Sequence, residues 1–248
     1  TLLSTLFLSL SQAMAFHTGE SAEDPQSNIH AQIINDALAN KLTAVNLSIV
    51  EKGSNSQDKR GSEAAEDSAH HFADNNFRKA AAYIDRQKKL ALDYAATADT
   101  NETDRARALY HFGLMLHTVQ DFYSQTNYIE ITVDHNRDTG KLSDPYNIQL
   151  IDWNQLPKEG GGNLQSSPEF SKSSPATAEG QKALAGSTYF AAAKELAVKE
   201  TLRQWQLFES LIKMRYPQRA NAILTAIRHA SCAANLDVEK LAEDIDVH

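Results

Sequence analysis

The sequence is poor in cysteine, glycine, proline and net positive charge, and each shortage excludes something. Cys232 is the single cysteine among 248 residues. One thiol cannot close an internal disulfide, and it excludes any zinc module built from several cysteines. There are only 10 glycines and 6 prolines. Folds made of many short strands and tight turns use more of both, so helix is favoured from the outset. Lys and Arg number 24 against 32 Asp and Glu, a formal charge of −8. That balance excludes gripping a nucleic-acid backbone by bulk positive charge. No apolar run is long enough to span a bilayer as a helix, and there are no internal repeats or sustained heptads.

What remains is ordinary globular composition, 42% hydrophobic and 23% charged, which argues against a disordered chain. Residues 1–15 stand apart. They carry no charge, run Leu-rich from Leu2 to Leu10 and end in Ala13-Met14-Ala15. That is the apolar region and small-x-small cleavage site of a secretory signal, lacking its basic start. Cleavage after Ala15 would place Phe16 at the mature N-terminus, and the protein would be secreted or periplasmic. Residues 16–248 then form a single helical domain.

Periodicity assigns helices to most of that domain. Asn28 is a candidate N-cap for a helix to about Val50, with Ile33, Ile34, Ala37 and Leu38 as its apolar stripe. The polar stretch from Lys52 to Glu63 reads as loop. A second helix is predicted from about Ala64 to the Ala95 region. Asn101 and the acidic residues Glu102 and Asp104 open a third, to about Tyr123. Residues 134–180 hold four of the six prolines and five of the ten glycines, with little periodicity. They read as one long irregular loop of the kind used for lids and binding surfaces. Helix resumes from Ser187 to about Met214, and Pro217 starts another to near Ala230. The expected fold class is therefore all-α, a multi-helix bundle with one long loop. Asn46-Leu47-Ser48 and Asn101-Glu102-Thr103 match the N-glycosylation sequon.

The chemistry lies in the histidines. In the run from Tyr110 to Tyr128, residues His117, Asp121 and Gln125 lie four apart and share one helix face. An imidazole and a carboxylate at that spacing can chelate one divalent ion, and the surrounding residues are apolar. An isolated pair of this kind is more often a core histidine satisfied by its neighbour. Here it has company. His70-His71-Phe72-Ala73-Asp74-Asn75 opens the preceding helix, Asp58 sits at the end of the polar loop, and His30 lies one turn inside the first helix. Metal sites in helical bundles are built from such residues on facing helices.

The run Leu116-His117-Thr118-Val119-Gln120-Asp121-Phe122-Tyr123-Ser124, followed by Asn127-Tyr128 and Glu130, resembles the signature of the Het-C (heterokaryon incompatibility) family. His71-Phe72 with Asp74-Asn75 resembles that family's His-Phe-Asp-Asn element, with Ala73 as an extra residue. More distantly, Gly113-x-x-Leu116-His117-x-x-x-Asp121 is similar to the zinc-dependent phospholipase C and single-strand nuclease superfamily. The resemblance covers roughly residues 16–130. It implies a bundle of the zinc-dependent phospholipase C kind, holding one or two zinc ions. One would be bound by Asp58, His71, His117 and Asp121. A second would be bound by His30, by Asp121 as a bridge, and by the α-amino and carbonyl groups of Phe16. His70 is the alternative to His71, and Asp67 and Asp74 are alternatives to Asp58. The chain departs from the Het-C pattern at Gln125, where relatives carry His, and an amide is a poor zinc ligand. The helix from Ser187 has no His, and its Glu195 and Glu200 read as a solvated face.

The implied function is a secreted zinc-dependent phosphodiester hydrolase, phospholipase C-like, with Asp58 doubling as the base that orients water. Phospholipid is favoured over nucleic acid as substrate, with peripheral membrane contact, because no basic stripe carries interleaved aromatics. The alternative is a non-catalytic Het-C-like interaction or toxin-like protein with a degenerate metal site. A third reading makes the His/Asp pairs plain core hydrogen bonds.

Overall fold

The computed structural model describes residues 28–59, 62–140, 144, 146–156 and 163–243. The fold is all-α. Among the described residues the helices are α1 (Ile29–Leu38), α2 (Ala44–Ser56), α3 (Glu63–Glu66), α4 (Phe77–Ala95), α5 (Glu102–Gln125), α6 (Tyr128–Thr139), α7 (Tyr189–Arg215), α8 (Ala220–His229) and α9 (Val238–Glu243). The sheet among these residues is one hairpin, β1 (Ala183–Leu184) and β2 (Ser187–Thr188), paired antiparallel with Ala183 opposite Thr188. Ala185 and Gly186 turn it with φ of 49° and 80°, the double positive φ that a two-residue hairpin loop demands.

Helix α5 is the axis of the bundle. Asn101 caps it by accepting from the Asp104 N–H, with Glu102 and Asp104 in the first turn. Nearly every residue from Ala108 to Gln125 is buried, polar ones included. A helix buried on all sides has no solvent face to pattern. It packs against α2, α4, α7 and α9.

Two glycines set how closely α2 approaches α5. A Cβ built on Gly113 would stand 2.1 Å from the Val50 carbonyl oxygen, and one on Gly53 would stand 2.3 Å from that of Tyr110. Only hydrogen fits at either point, so the two backbones touch. This contact brings the C-terminal end of α2, and Asp58 just beyond it, against the middle of α5.

Several expected boundaries move. The helix predicted from Asn28 to Val50 is two helices: α1 ends at Leu38 and Thr43 caps α2 by accepting from the Asn46 N–H. The predicted loop from Lys52 onward is helical to Ser56, because Gly53 and Ser54 are buried against α5 and tertiary packing overrides their weak propensity. The helix expected from Ala64 begins at Phe77. Before it, Phe72, Asp74 and Asn75 all have positive φ, which no helix accommodates. The long connector starts only after α6, at Gly140 in the left-handed conformation.

That connector is pinned down. Asn75 and Ser166 exchange hydrogen bonds of 2.8 Å each, backbone N–H to side chain in both directions. Asn127 accepts from the Gln165 N–H through its side-chain oxygen, donates its own N–H to the Gln165 carbonyl, and donates its side-chain amide to the Asn163 carbonyl. Lys172 is buried and its ammonium donates to Thr126 O, Phe170 O and the Glu130 carboxylate at 2.7–2.8 Å. Segment 163–173 therefore lies as a strap across the C-terminal end of α5. At the other pole, Asn46 of the first sequon is fully buried, its amide bonded to Ile227 O, Ala230 O and the Cys232 N–H. No helix of the described residues is long and apolar enough to cross a membrane.

Candidate metal centre

Five side chains from four segments meet around the middle of α5. His117 and Asp121 project from α5 itself, one turn apart and fully buried. His30 comes from the first turn of α1, just inside the Asn28 cap. Asp58 lies in the turn that follows α2. His71 comes from the irregular stretch between α3 and α4, whose Phe72 ring is buried against Phe77, Phe122 and Trp153. A buried aromatic plug thus anchors the backbone next to His71.

The geometry is close to that of a ligand shell. His117 Nε2, His71 Nδ1 and Asp121 Oδ2 form a triangle with sides of 3.0, 3.1 and 3.1 Å. Asp58 Oδ1 lies 3.7 Å from His117 Nε2 and 3.9 Å from His71 Nδ1. Zinc–nitrogen bonds of about 2.0–2.1 Å in a tetrahedron put neighbouring ligand atoms about 3.3 Å apart. These five spacings bracket that value. The other oxygens face His30: its Nε2 is 3.3 Å from Asp121 Oδ1 and 3.9 Å from Asp58 Oδ2. Each carboxylate therefore offers one oxygen to the His71–His117 pair and the other to His30. Two groups among the described residues are spaced to hold an ion, Asp58/His71/His117 and His30/His117/Asp121.

The tautomer of His71 sharpens the fit. Its Nε2 lies 3.3 Å from the Ala64 carbonyl oxygen. A carbonyl only accepts, so a proton on Nε2 meets Ala64, and Nδ1, 3.1 Å from Asp121 Oδ2, faces that carboxylate either with a second proton or through a cation held between them. In the same cluster, Asp58 Oδ2 and His117 Nδ1 are buried with no hydrogen-bond partner among the described residues.

Electrostatics tells the same story with protons. Burial works against charge on His30, but the Asp121 carboxylate outweighs it and raises the pKa above the usual imidazole value. His71 is raised likewise, burial losing to the hydrogen bond and charge of Asp121. His117 goes down, through burial and then the positive His30 stacked on it at 4.0 Å. Burial opposes charge on Asp121 too, yet His117 and His30 hold it well below the ordinary carboxylate range. The pocket holds buried negative charge that positive charge must balance, and a divalent cation or protons can supply it.

The sequence alternatives now separate. His71, not His70, faces the cluster; His70 stacks on Tyr83 with centroids 3.9 Å apart, and burial drives its pKa down to about 4. Asp67 caps the Ala69 N–H and lies near His70, so Asp58 is the carboxylate that meets the histidines. His71 is not at the opening of a helix, as its spacing implied, but on an irregular loop. Gln125 is buried one turn beyond Asp121, its amide nitrogen without a partner among the described residues. Glu195 pairs with Lys199 at the surface, whereas Glu200 does not lie on a solvated face. It is fully buried and accepts from Tyr123 Oη, Trp153 Nε1 and Gln204 Nε2 at 2.7–3.1 Å. Phe16 and the apolar segment 1–15 lie outside the described residues.

Sequence reasoning missed the residues that support the ligands. His30 Nδ1 is 2.7 Å from Gln120 Oε1, and Gln120 Nε2 donates to Thr201 Oγ1 at 3.0 Å. Gln120 stands in the quoted motif beside Asp121, and a polar residue in so apolar a helix was the available signal. Nothing local marked Thr201 or Ser166.

The fold and site together define a helical-bundle domain with a buried His/Asp cluster suited to metal. Residues 25–146, just under half of the chain, match the family model described as the VWA7 N-terminal domain. That stretch contains all five clustered residues. No curated protein and no solved structure matches. This corrects the resemblance drawn above. The family model that recognises this stretch is neither Het-C nor the zinc-dependent phospholipase C and nuclease superfamily. The hydrolase and phospholipase C-like labels, which rested on that likeness, lose that support. The reason is chemical: His and Asp four apart on a buried helix is what chelation requires, so the pattern by itself marks no single ancestry.

Proposed function

We propose that this protein binds zinc at the centre formed by Asp58, His71, His117 and Asp121, as a helical domain whose working form contains the metal. The observation that carries this is the tight shell of one oxygen and two nitrogens, 3.0–3.1 Å apart, with Asp58 beside it. Imidazole and carboxylate donors in a near-tetrahedral set suit zinc better than magnesium or calcium, which prefer all-oxygen shells. Four protein ligands would form a closed centre of the structural type. Zinc titration of the metal-stripped full chain tests it. Tight binding of a first equivalent, lost in His117→Ala, is expected; no binding in the unaltered protein refutes it.

A second reading rests on His30. It offers one nitrogen, opposite one oxygen from each carboxylate, and those three atoms leave coordination positions open for water or substrate. Divalent cations held there would polarise a phosphoryl oxygen and acidify water, the chemistry of phosphodiester hydrolysis. In that reaction Asp58, reaching both sets of histidines, would orient the attacking water and take its proton. The acidic chain, without a basic stripe, favours a phospholipid over nucleic acid, and export through the 1–15 segment would bring the protein to such substrates. Zinc-dependent release of headgroup phosphate from phosphatidylcholine vesicles, absent in Asp58→Asn, tests this reading. Full turnover in that variant would reject it.

A further inference from the structure

The second reading leaves open which nitrogen of His30 meets an ion, and three buried residues answer it. His30 on α1, Gln120 on α5 and Thr201 on α7 form a chain of hydrogen bonds of 2.7 and 3.0 Å, and Gln120 and Thr201 are fully buried. An amide group is planar, with its oxygen and nitrogen on opposite sides. While its nitrogen donates to Thr201 Oγ1, its oxygen must face His30. An amide oxygen only accepts, so His30 Nδ1 has to carry the proton. That leaves Nε2, 3.3 Å from Asp121 Oδ1 and 3.9 Å from Asp58 Oδ2, as the nitrogen that gives up its proton when a metal takes its place.

We propose that Gln120, held by Thr201, is a positioning residue that fixes the Nδ1–H tautomer of His30 and so makes Nε2 a metal ligand. This rests on the second reading above, in which His30 holds a further ion beside the four-residue centre. Outer partners of ligating histidines act in this way generally, orienting the ring and fixing its tautomer. What is particular here is the relay. A hydroxyl on α7 sets the amide on α5, and the amide sets the imidazole on α1, so three packed helices must be in register before the ligand is ready. Helices α1 and α7 pack against each other and α7 packs on α5, as the relay requires. Thr201 and Gln120 touch neither carboxylate in this account and act only through His30.

The test uses the full chain labelled with ¹⁵N-histidine and zinc as the probe. In the metal-free protein, at a pH high enough to leave His30 neutral, long-range ¹⁵N–¹H spectra should show its proton on Nδ1. Thr201→Val removes the acceptor that orients the amide. It should mix the His30 tautomers and weaken the weaker of two zinc-binding steps about tenfold, leaving the tighter step unchanged. Thr201→Ser should restore both readouts, which a merely structural role of the methyl group would not allow. If Thr201→Val shows no thermal transition, Gln120→Glu replaces it: its oxygens accept whichever way they turn, so the Nδ1–H signal should persist, and its loss overturns the proposal. An Nε2–H tautomer in the unaltered protein, or unchanged tautomer and affinity in Thr201→Val, also overturns it. The two ideas fail separately. Nδ1–H with no zinc uptake refutes the metal reading alone, while two-step zinc uptake indifferent to Thr201 refutes the relay alone.

Discussion

The same cluster receives ligands from two very different pieces of backbone. Helix α5 delivers His117 and Asp121 from consecutive turns, held by regular hydrogen bonds and by packing on several sides. The stretch from Asp67 to Asn76 delivers His71 from backbone with positive φ at Phe72, Asp74 and Asn75. Residues other than glycine cost about 1–3 kcal/mol each in such conformations and persist only where the surroundings over-determine them. Here the surroundings are the buried Phe72 ring, the His71–Ala64 hydrogen bond and the Asn75–Ser166 exchange. The helix thus provides ligands by its own geometry. The loop provides one only because the rest of the fold holds it in place.

Changes on the helical side should have the largest effects. Asp121→Ala removes the carboxylate shared by all three histidines and should abolish zinc uptake in a calorimetric titration. It should also erase the stabilisation that zinc gives the unaltered chain, about 4 kcal/mol at a thousandfold excess over Kd, seen as a chelator-sensitive shift of roughly 10 °C in Tm. Gly113→Ala should come next. Its methyl would meet the Val50 carbonyl, so the helices must separate, costing roughly 1–3 kcal/mol in urea unfolding. Gly53→Ala should behave alike.

On the loop side the effects should be smaller and more local. Ser166→Ala breaks one side of the exchange with Asn75. It should cost about 1 kcal/mol and weaken zinc several-fold while leaving the α5 ligands in place, a split readable by comparing Tm in chelator with Kd. Asp74→Gly should be the mildest, within about 0.5 kcal/mol, since glycine relieves positive φ but adds freedom to the unfolded chain. If Ser166→Ala reduced affinity as much as Asp121→Ala, the contrast between the two regions would collapse.

Acidity sharpens the same comparison. Both His30 and His71 have pKa values raised above 6.5. Zinc must displace protons from imidazoles before it binds, so affinity should fall as pH drops through those raised values. The fall should therefore begin at higher pH than for unperturbed histidines. Affinity constant between pH 8 and pH 6 would contradict this.

Much of α5 was legible because its cap, its length and the spacing of His117 and Asp121 are local properties. The His30, Asp58 and His71 candidates were legible as residue types, but their convergence was not, since it depends on the Gly53–Gly113 contact and on the plug made by Phe72. The break between α1 and α2 had a local signal in Thr43, masked by apolar residues continuing on both sides. Lys52 to Ser56 looked like loop because small polar residues favour one, and only their burial against α5 makes them helical. The connector's prolines and glycines marked irregularity well. They could not reveal that two asparagines and a buried lysine bind it to the bundle. Kinship was the least legible, because chelation imposes the same spacing whatever the family.

The buried amide of Asn46 has a consequence for synthesis. Its partners, Ile227, Ala230 and Cys232, lie 181 to 186 residues further along the chain. During translation the N-terminal end of α2 therefore emerges long before the residues that cover it exist. Until those residues leave the ribosome, the Asn46-Leu47-Ser48 sequon stays open to any enzyme that reads sequons. Once the chain closes, the same amide becomes a fastener joining its early and late parts. A glycan added early at Asn46 would leave that fastener permanently undone.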